Sequence, residues 1–225
     1  GQPRRRRCRR CRAQAEQKLP EVIKERRCVW EEQSSIPSGF LTKTFATFKR
    51  ELQPKAYDAI KSLRYHYEDY DDQGNETPCP PESIILLSPN LYGVGKTHLL
   101  CAFANHVIQT EIPASVGRSG NISTYGCPVF YTTETKLLAR IRATFNRSKE
   151  DDEGEPETEE AIYGQLLRYR VLIIDDIGKV RPKDYSFLQG VYFRIIDERY
   201  SGDQNTLVLT TNLSLTELEQ HIGGA

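Results

Sequence analysis

Hydrophobic and polar positions change period several times along the chain. Ser83–Ser88 (S-I-I-L-L-S) and Val171–Ile174 (V-L-I-I) are short continuous apolar runs, the signature of strands buried on both faces. Val129–Thr132 and Thr206–Thr211 (T-L-V-L-T-T) read as two further strands. Between them the period lengthens to that of a helix. Lys96–Thr110 places Leu99, Leu100, Phe103, Val107 and Ile108 on an inward face, and Thr133–Phe145 does the same with Leu137, Leu138, Ile141 and Phe145. A helix over Glu159–Leu167 leads into the third strand, and Tyr185–Arg199 offers Phe187, Leu188, Val191, Tyr192, Ile195 and Ile196 as core positions. Ser214 and Glu217 form a capping box that opens a last helix. Upstream, Ala56, Ile60 and Leu63 give residues 40–67 a modest helical stripe. Glu68–Pro81 and Ser148–Glu160 are acidic and read as loops. Strands alternating with helices predict an α/β fold: a parallel sheet with helices on both faces, ligands binding at the carboxyl ends of its strands.

Composition modifies this picture at the N-terminus. The chain has 225 residues, with 31 Lys+Arg balanced by 31 Asp+Glu. Residues 1–28 nevertheless hold eleven Lys/Arg against three Glu, and seven of those arginines fall between Arg4 and Arg12. The expected organisation is a basic, Cys-containing N-terminal segment and linker over residues 1–38, then one α/β domain over 39–225. The arginine run suits a phosphate backbone or a protein partner equally well. No apolar run reaches the ~18 residues of a membrane span and no secretory segment is visible, so a cytoplasmic setting with reduced cysteines is expected. The chain has no methionine, even at position 1, and reads as a processed chain or a fragment.

The strongest chemical signal is Asn90-Leu91-Tyr92-Gly93-Val94-Gly95-Lys96-Thr97, a P-loop pattern between a strand and a helix. Backbone N–H groups of such a loop wrap phosphate oxygens, and Gly93 and Gly95 allow the close approach. Lys96 supplies charge to the terminal phosphates, Thr97 a hydroxyl to Mg²⁺. The first glycine of the pattern is Asn90, the non-glycine residue type best suited to a left-handed turn. His98 follows directly and either lines the nucleotide pocket or packs in the helix. Val171–Asp176 then ends a buried strand in two carboxylates. Asp175 is expected to hold Mg²⁺, and Asp176 to orient or deprotonate the attacking water. Asn212, at the tip of the last strand, is placed to sense the γ-phosphate, or else serves as a turn residue. Cys8, Cys11 and Cys28 are either three zinc ligands or unligated thiols in a basic tail. The histidines form no evident metal set. Trp30, Tyr65, Tyr67 and Tyr70 read as packing residues, Arg194 and Arg199 as surface ion pairs on a helix. Neither an N-K-x-D guanine reader nor an L-S-G-G-Q transporter signature is present.

These stretches carry a resemblance. Gly93–Leu99 (G-V-G-K-T-H-L), Val171–Gly178 (V-L-I-I-D-D-I-G), Ile195–Tyr200 (I-I-D-E-R-Y) and Thr210–Leu218 (T-T-N-L-S-L-T-E-L), with an aromatic lead-in at Phe45–Phe48, resemble the AAA+ ATPases of the DnaC-type helicase loaders and IstB-type transposition helpers. The resemblance implies a P-loop NTPase (AAA+) fold, ATP and Mg²⁺, contact with single-stranded DNA, and self-assembly through neighbouring ATPase domains. It implies a replicative helicase as partner, or a transposase if the chain is a transposition helper; a non-catalytic nucleotide-switched adaptor is the third reading. The arginine finger and sensor 2 arginine of that family lie downstream of the helix opening at Ser214, so the domain reads as truncated at its C-terminal end.

Overall fold

The structure, a computed structural model, describes residues 9–66, 68–70, 76–145, 157–182, 185–201 and 205–223. The chain opens with α1 (Arg9–Gln33), followed by three short 3-10 turns and α2 (Pro54–Lys61). An antiparallel pair, β1 (Glu68–Tyr70) and β2 (Glu76–Cys79), precedes β3 (Ile84–Leu87) and α3 (Lys96–Thr110). A second antiparallel pair, β4 (Ala114–Val116) and β5 (Ile122–Thr124), leads to β6 (Val129–Thr133) and α4 (Glu134–Phe145). Then come α5 (Glu159–Arg168), β7 (Val171–Ile177), α6 (Ser186–Tyr200), β8 (Thr206–Thr211) and α7 (Leu215–Ile222).

The main sheet runs β3-β8-β7-β6, all parallel. Each strand alternates its side chains between two cores, as the period of two demands. Leu86, Val129, Tyr131, Val171, Ile173 and Val208 point to one face, under α3 with Trp30 of α1 and Ile60 of α2. Phe130, Leu172, Ile174, Leu207 and Leu209 point to the other, under α4, α5, α6 and α7. The expected parallel sheet with helices on both faces is the observed architecture. Because β3, β8 and β7 are neighbours, the loops after them meet at one end of the sheet, although those strands end as far apart in sequence as Leu87, Ile177 and Thr211.

Several expectations need correction. Residues 9–33 form one 25-residue helix, which buries Ala15 and Trp30 against α3 and the β4–β5 pair. Strands β1 and β2 pair within the stretch expected to be a loop, because cross-strand backbone bonds need no apolar pattern. Phe145 is 58% exposed, since α4 ends there beyond the reach of the sheet. Ile196, expected in the core, is 38% exposed and lines an open cavity with Ile85, Leu207 and Leu209 at the β3 side of the sheet. Of the acidic stretch 148–160, residues 148–156 lie outside the described residues, as does Tyr67.

Candidate nucleotide site

The loop after β3 makes three left-handed turns. Asn90 has φ 55°, Gly93 φ 70° and Gly95 φ 92°. Asn90 is therefore the residue type its backbone calls for. Its N–H donates to the Asn212 carbonyl at 3.1 Å, and the Ser88 N–H to that of Thr211, so the loop is pinned to the end of β8. Gly95 is needed twice over. Its φ suits glycine, and a Cβ there would lie 2.7 Å from the Phe48 ring. The Phe45–Phe48 turn thus packs directly on the loop, with Thr47 Oγ1 3.0 Å from His98 Nε2 and the His98 ring edge-on to Phe48. Burial holds His98 below the usual histidine range.

Lys96, the first residue of α3, reaches back across the loop. Its Nζ donates to Asn212 Oδ1 at 2.5 Å and to Ser88 Oγ. Burial lowers its pKa, opposed by the charges of Asp176 and Asp175. Thr97 Oγ1 donates to Asp175 Oδ2 at 2.7 Å. Asp175 is 1% exposed and its oxygens are heavily used: Tyr131 Oη donates at 2.7 Å, and Thr210 Oγ1 and the Asp176 N–H also donate. Burial and the neighbouring Asp175 push the Tyr131 phenol far up, so it stays a donor. Asp176 follows at φ 61°, where the register of β7 against β8 shifts between Ile174 and Ile177. That bulge turns the second carboxylate out of the strand. Its Oδ2 accepts from Lys179 Nζ at 2.5 Å, which raises the lysine pKa.

Lys96, Thr97, Asp175, Asp176 and Asn212 therefore meet at one end of the sheet, from three different strands and their loops. Thr97 Oγ1 and Asp175 Oδ2 offer adjacent hard oxygen atoms, the donor type Mg²⁺ prefers. The left-handed loop at a helix N-terminus offers backbone N–H groups and a lysine to phosphates.

A family model described as "IstB-like ATP binding protein" matches residues 80–225, more than half of the chain. The chain belongs to that family. In solved structures its fold is similar to that of DnaI, at 19% identity and a TM-score of 0.54 over 84% of this chain and 81% of that one. It is also similar to the DnaC helicase loader, at 18% identity and 0.52 over 83% and 90%. No curated protein matches the sequence. The IstB-like chain thus carries an ATP-binding domain of the IstB type, with a fold like those of DnaI and DnaC.

Other sequence candidates fall elsewhere in the IstB-like fold. Cys11 and Cys28 both lie on α1, and 17 residues of continuous helix separate them by about 25 Å, so they cannot share a zinc ion. Cys8 lies outside the described residues, among which no cluster of metal-ligating side chains occurs. Arg194 makes the expected ion pairs, with Glu160 and Glu198. Arg199 does not. It is 3% exposed and donates to the carbonyls of Leu166, Tyr169, Arg170 and Thr206. Burial lowers its pKa to about 10, so the cation persists at neutral pH. Ser88, Tyr131 and Thr210 escaped sequence reasoning, although a polar residue ending an apolar strand beside a P-loop was a usable signal for Ser88.

Proposed function

We propose that this chain is a Mg²⁺-dependent ATPase that acts on DNA in the cytoplasm, most specifically as a loader of a replicative helicase. The observation that carries the reading is the Lys96 ammonium held between Ser88 and Asn212, with the adjacent residue Thr97 bonded to Asp175. ATP phosphates entering the loop replace Ser88 and Asn212 as partners of Lys96. Asn212 is then left facing the terminal phosphate, and Thr97 and Asp175 hold the cation. Asp176, on its outward turn, orients the attacking water. The active unit assembles through neighbouring ATPase domains on single-stranded DNA, the basic N-terminal segment contacting either the nucleic acid or the partner protein. The test is Mg²⁺-ATP binding and turnover with and without single-stranded DNA. Asp176→Ala is expected to bind ATP normally while turnover falls by about 100-fold; retained turnover removes that role from Asp176.

Two observations favour neighbouring readings. The family model is named for IstB, which supports a transposition helper. Helicase or transposase capture by the ATP-loaded chain separates the two. The Lys179–Asp176 pair neutralises the carboxylate that has to act on water, which supports a nucleotide-switched adaptor. ATP-dependent partner binding without multiple turnover identifies that case.

A further inference from the structure

The turn that carries Asp176 is clamped from three sides. On one side, the Asp176 N–H donates to Thr210 Oγ1 and Asp175 Oδ1. On the second, Thr211 Oγ1 donates to the Ile177 carbonyl. Both of these come from β7 and β8 themselves. The third side is Glu134, the first residue of α4, which has 0% exposure. Its Oε2 accepts from the N–H groups of Gly178 and Val180, each at 3.0 Å. Its Oε1 accepts from Tyr192 Oη on α6 at 3.0 Å and pairs with His221 Nε2 on α7 at 2.7 Å.

A carboxylate fully removed from water is costly unless every lone pair finds a donor. Here four donors meet it, drawn from the turn and from two helices distant in sequence. Neither oxygen has direct contact with Lys96, Asp175 or Asp176 in this network, so packing around the P-loop does not account for it. A neutral apolar side chain would fill the volume without the desolvation cost. What the acid supplies, and an apolar side chain cannot, is an acceptor for the N–H groups of Gly178 and Val180 beyond the Asp176 bulge. Gly178 sits at φ 95° with Leu213 pressed against it, so the turn has little room to relax by itself.

We infer that Glu134 is a positioning residue for Asp176, and that it links the attitude of that carboxylate to the seating of α6 and α7. The inference rests on the ATPase reading above. Movement of α7 that withdraws His221 weakens the hold of Glu134 and lets the 178–180 segment, and Asp176 with it, drift.

Glu134→Gln tests this, because one amide oxygen cannot accept from both pairs of donors. Misplacement of a reacting group by about 1 Å costs about 100-fold in rate, so kcat is expected to fall by about 10- to 100-fold with the KM for ATP within about threefold of wild type. Tyr192→Phe removes a single donor, keeps the ring, and is expected to lower kcat by a few-fold. Ile162→Ala, in the same core but away from the turn, is the control: it lowers the melting temperature with kcat retained. Wild-type kcat in both Glu134→Gln and Tyr192→Phe overturns the inference. So does a loss of kcat that Ile162→Ala matches at equal loss of melting temperature. If Glu134→Gln does not fold, Tyr192→Phe against Ile162→Ala decides. A wild-type chain that turns over no ATP overturns the ATPase reading instead. Amide hydrogen exchange at Gly178 and Val180 then decides the hold of Glu134 on the turn: tenfold faster exchange in Glu134→Leu, which removes the acceptor, supports it, and unchanged exchange overturns it.

Discussion

Strands β7 and β8 meet polar groups at both of their ends, to opposite effect. At their N-terminal ends the Arg199 guanidinium is buried among the carbonyls of Leu166, Tyr169, Arg170 and Thr206 and sews the start of β8 to the approach of β7. No carboxylate is among those partners, so the charge serves backbone geometry. At their C-terminal ends the ladder breaks into a bulge, Asp176 takes φ 61°, and Asp175 gathers donors from Thr97, Tyr131 and Thr210. One end is regular, its carbonyls gathered by a single cation. The other is left-handed, heavily polar and open to a ligand. Strain and buried charge at the second end are tolerated because the first end fixes the register of the two strands.

Damage to each end is therefore expected to be read by a different instrument. The largest effect belongs to Arg199→Met. It leaves four carbonyls without their charged donor and costs about 4 kcal/mol of stability by urea denaturation, with the ATP affinity of the folded fraction unchanged. Lost ATP affinity at full folding breaks the division. Lys96→Ala acts at the other end. The far-ultraviolet spectrum stays the same while ATP affinity falls by about 100-fold, near 2.7 kcal/mol, on titration with a fluorescent analogue. Gly178→Ala puts a methyl carbon 2.6 Å from Leu213 at a positive φ. About 2 kcal/mol of stability should be lost, and turnover should fall more than binding. Arg194→Ala, on the same helix as Arg199 but outside the core, is expected to change stability by less than about 0.5 kcal/mol. A larger loss there would show that the two arginines are not as different as their surroundings make them.

Legibility in the sequence followed the same division. Strands β7 and β8 announced themselves because a parallel strand covered on both faces must be a continuous apolar run; β3 carried the same kind of run, yet it lies at the sheet edge and leaves Ile85 and Leu87 exposed on one face. The loop Asn90–Thr97 was visible because its chemistry is local: left-handed turns and a lysine within eight residues. Arg199 was misread because its partners are backbone carbonyls, which leave no mark in a side-chain pattern. Glu134 looked like an ordinary helix start, since its donors lie 44 to 87 residues further on. Tyr131 had the same handicap, being joined to Asp175 only by the pairing of β6 with β7. The long helix α1 was hidden because charges dilute its apolar positions, and what it packs on lies far along the chain.

That helix has a consequence for how copies of the chain meet in solution. Strand β6 closes one side of the sheet, and a bare strand margin is a template on which another chain can add itself. The segment leaving α1 occupies part of that margin: the Tyr131 N–H donates at 2.8 Å to the carbonyl of Ser34, a residue with no exposure. Ser34, just past the end of α1, thereby occupies a backbone position that another chain would need in order to pair with β6. Removal of that segment would uncover the border, and removal of α1 with it would also take Trp30 out of the core.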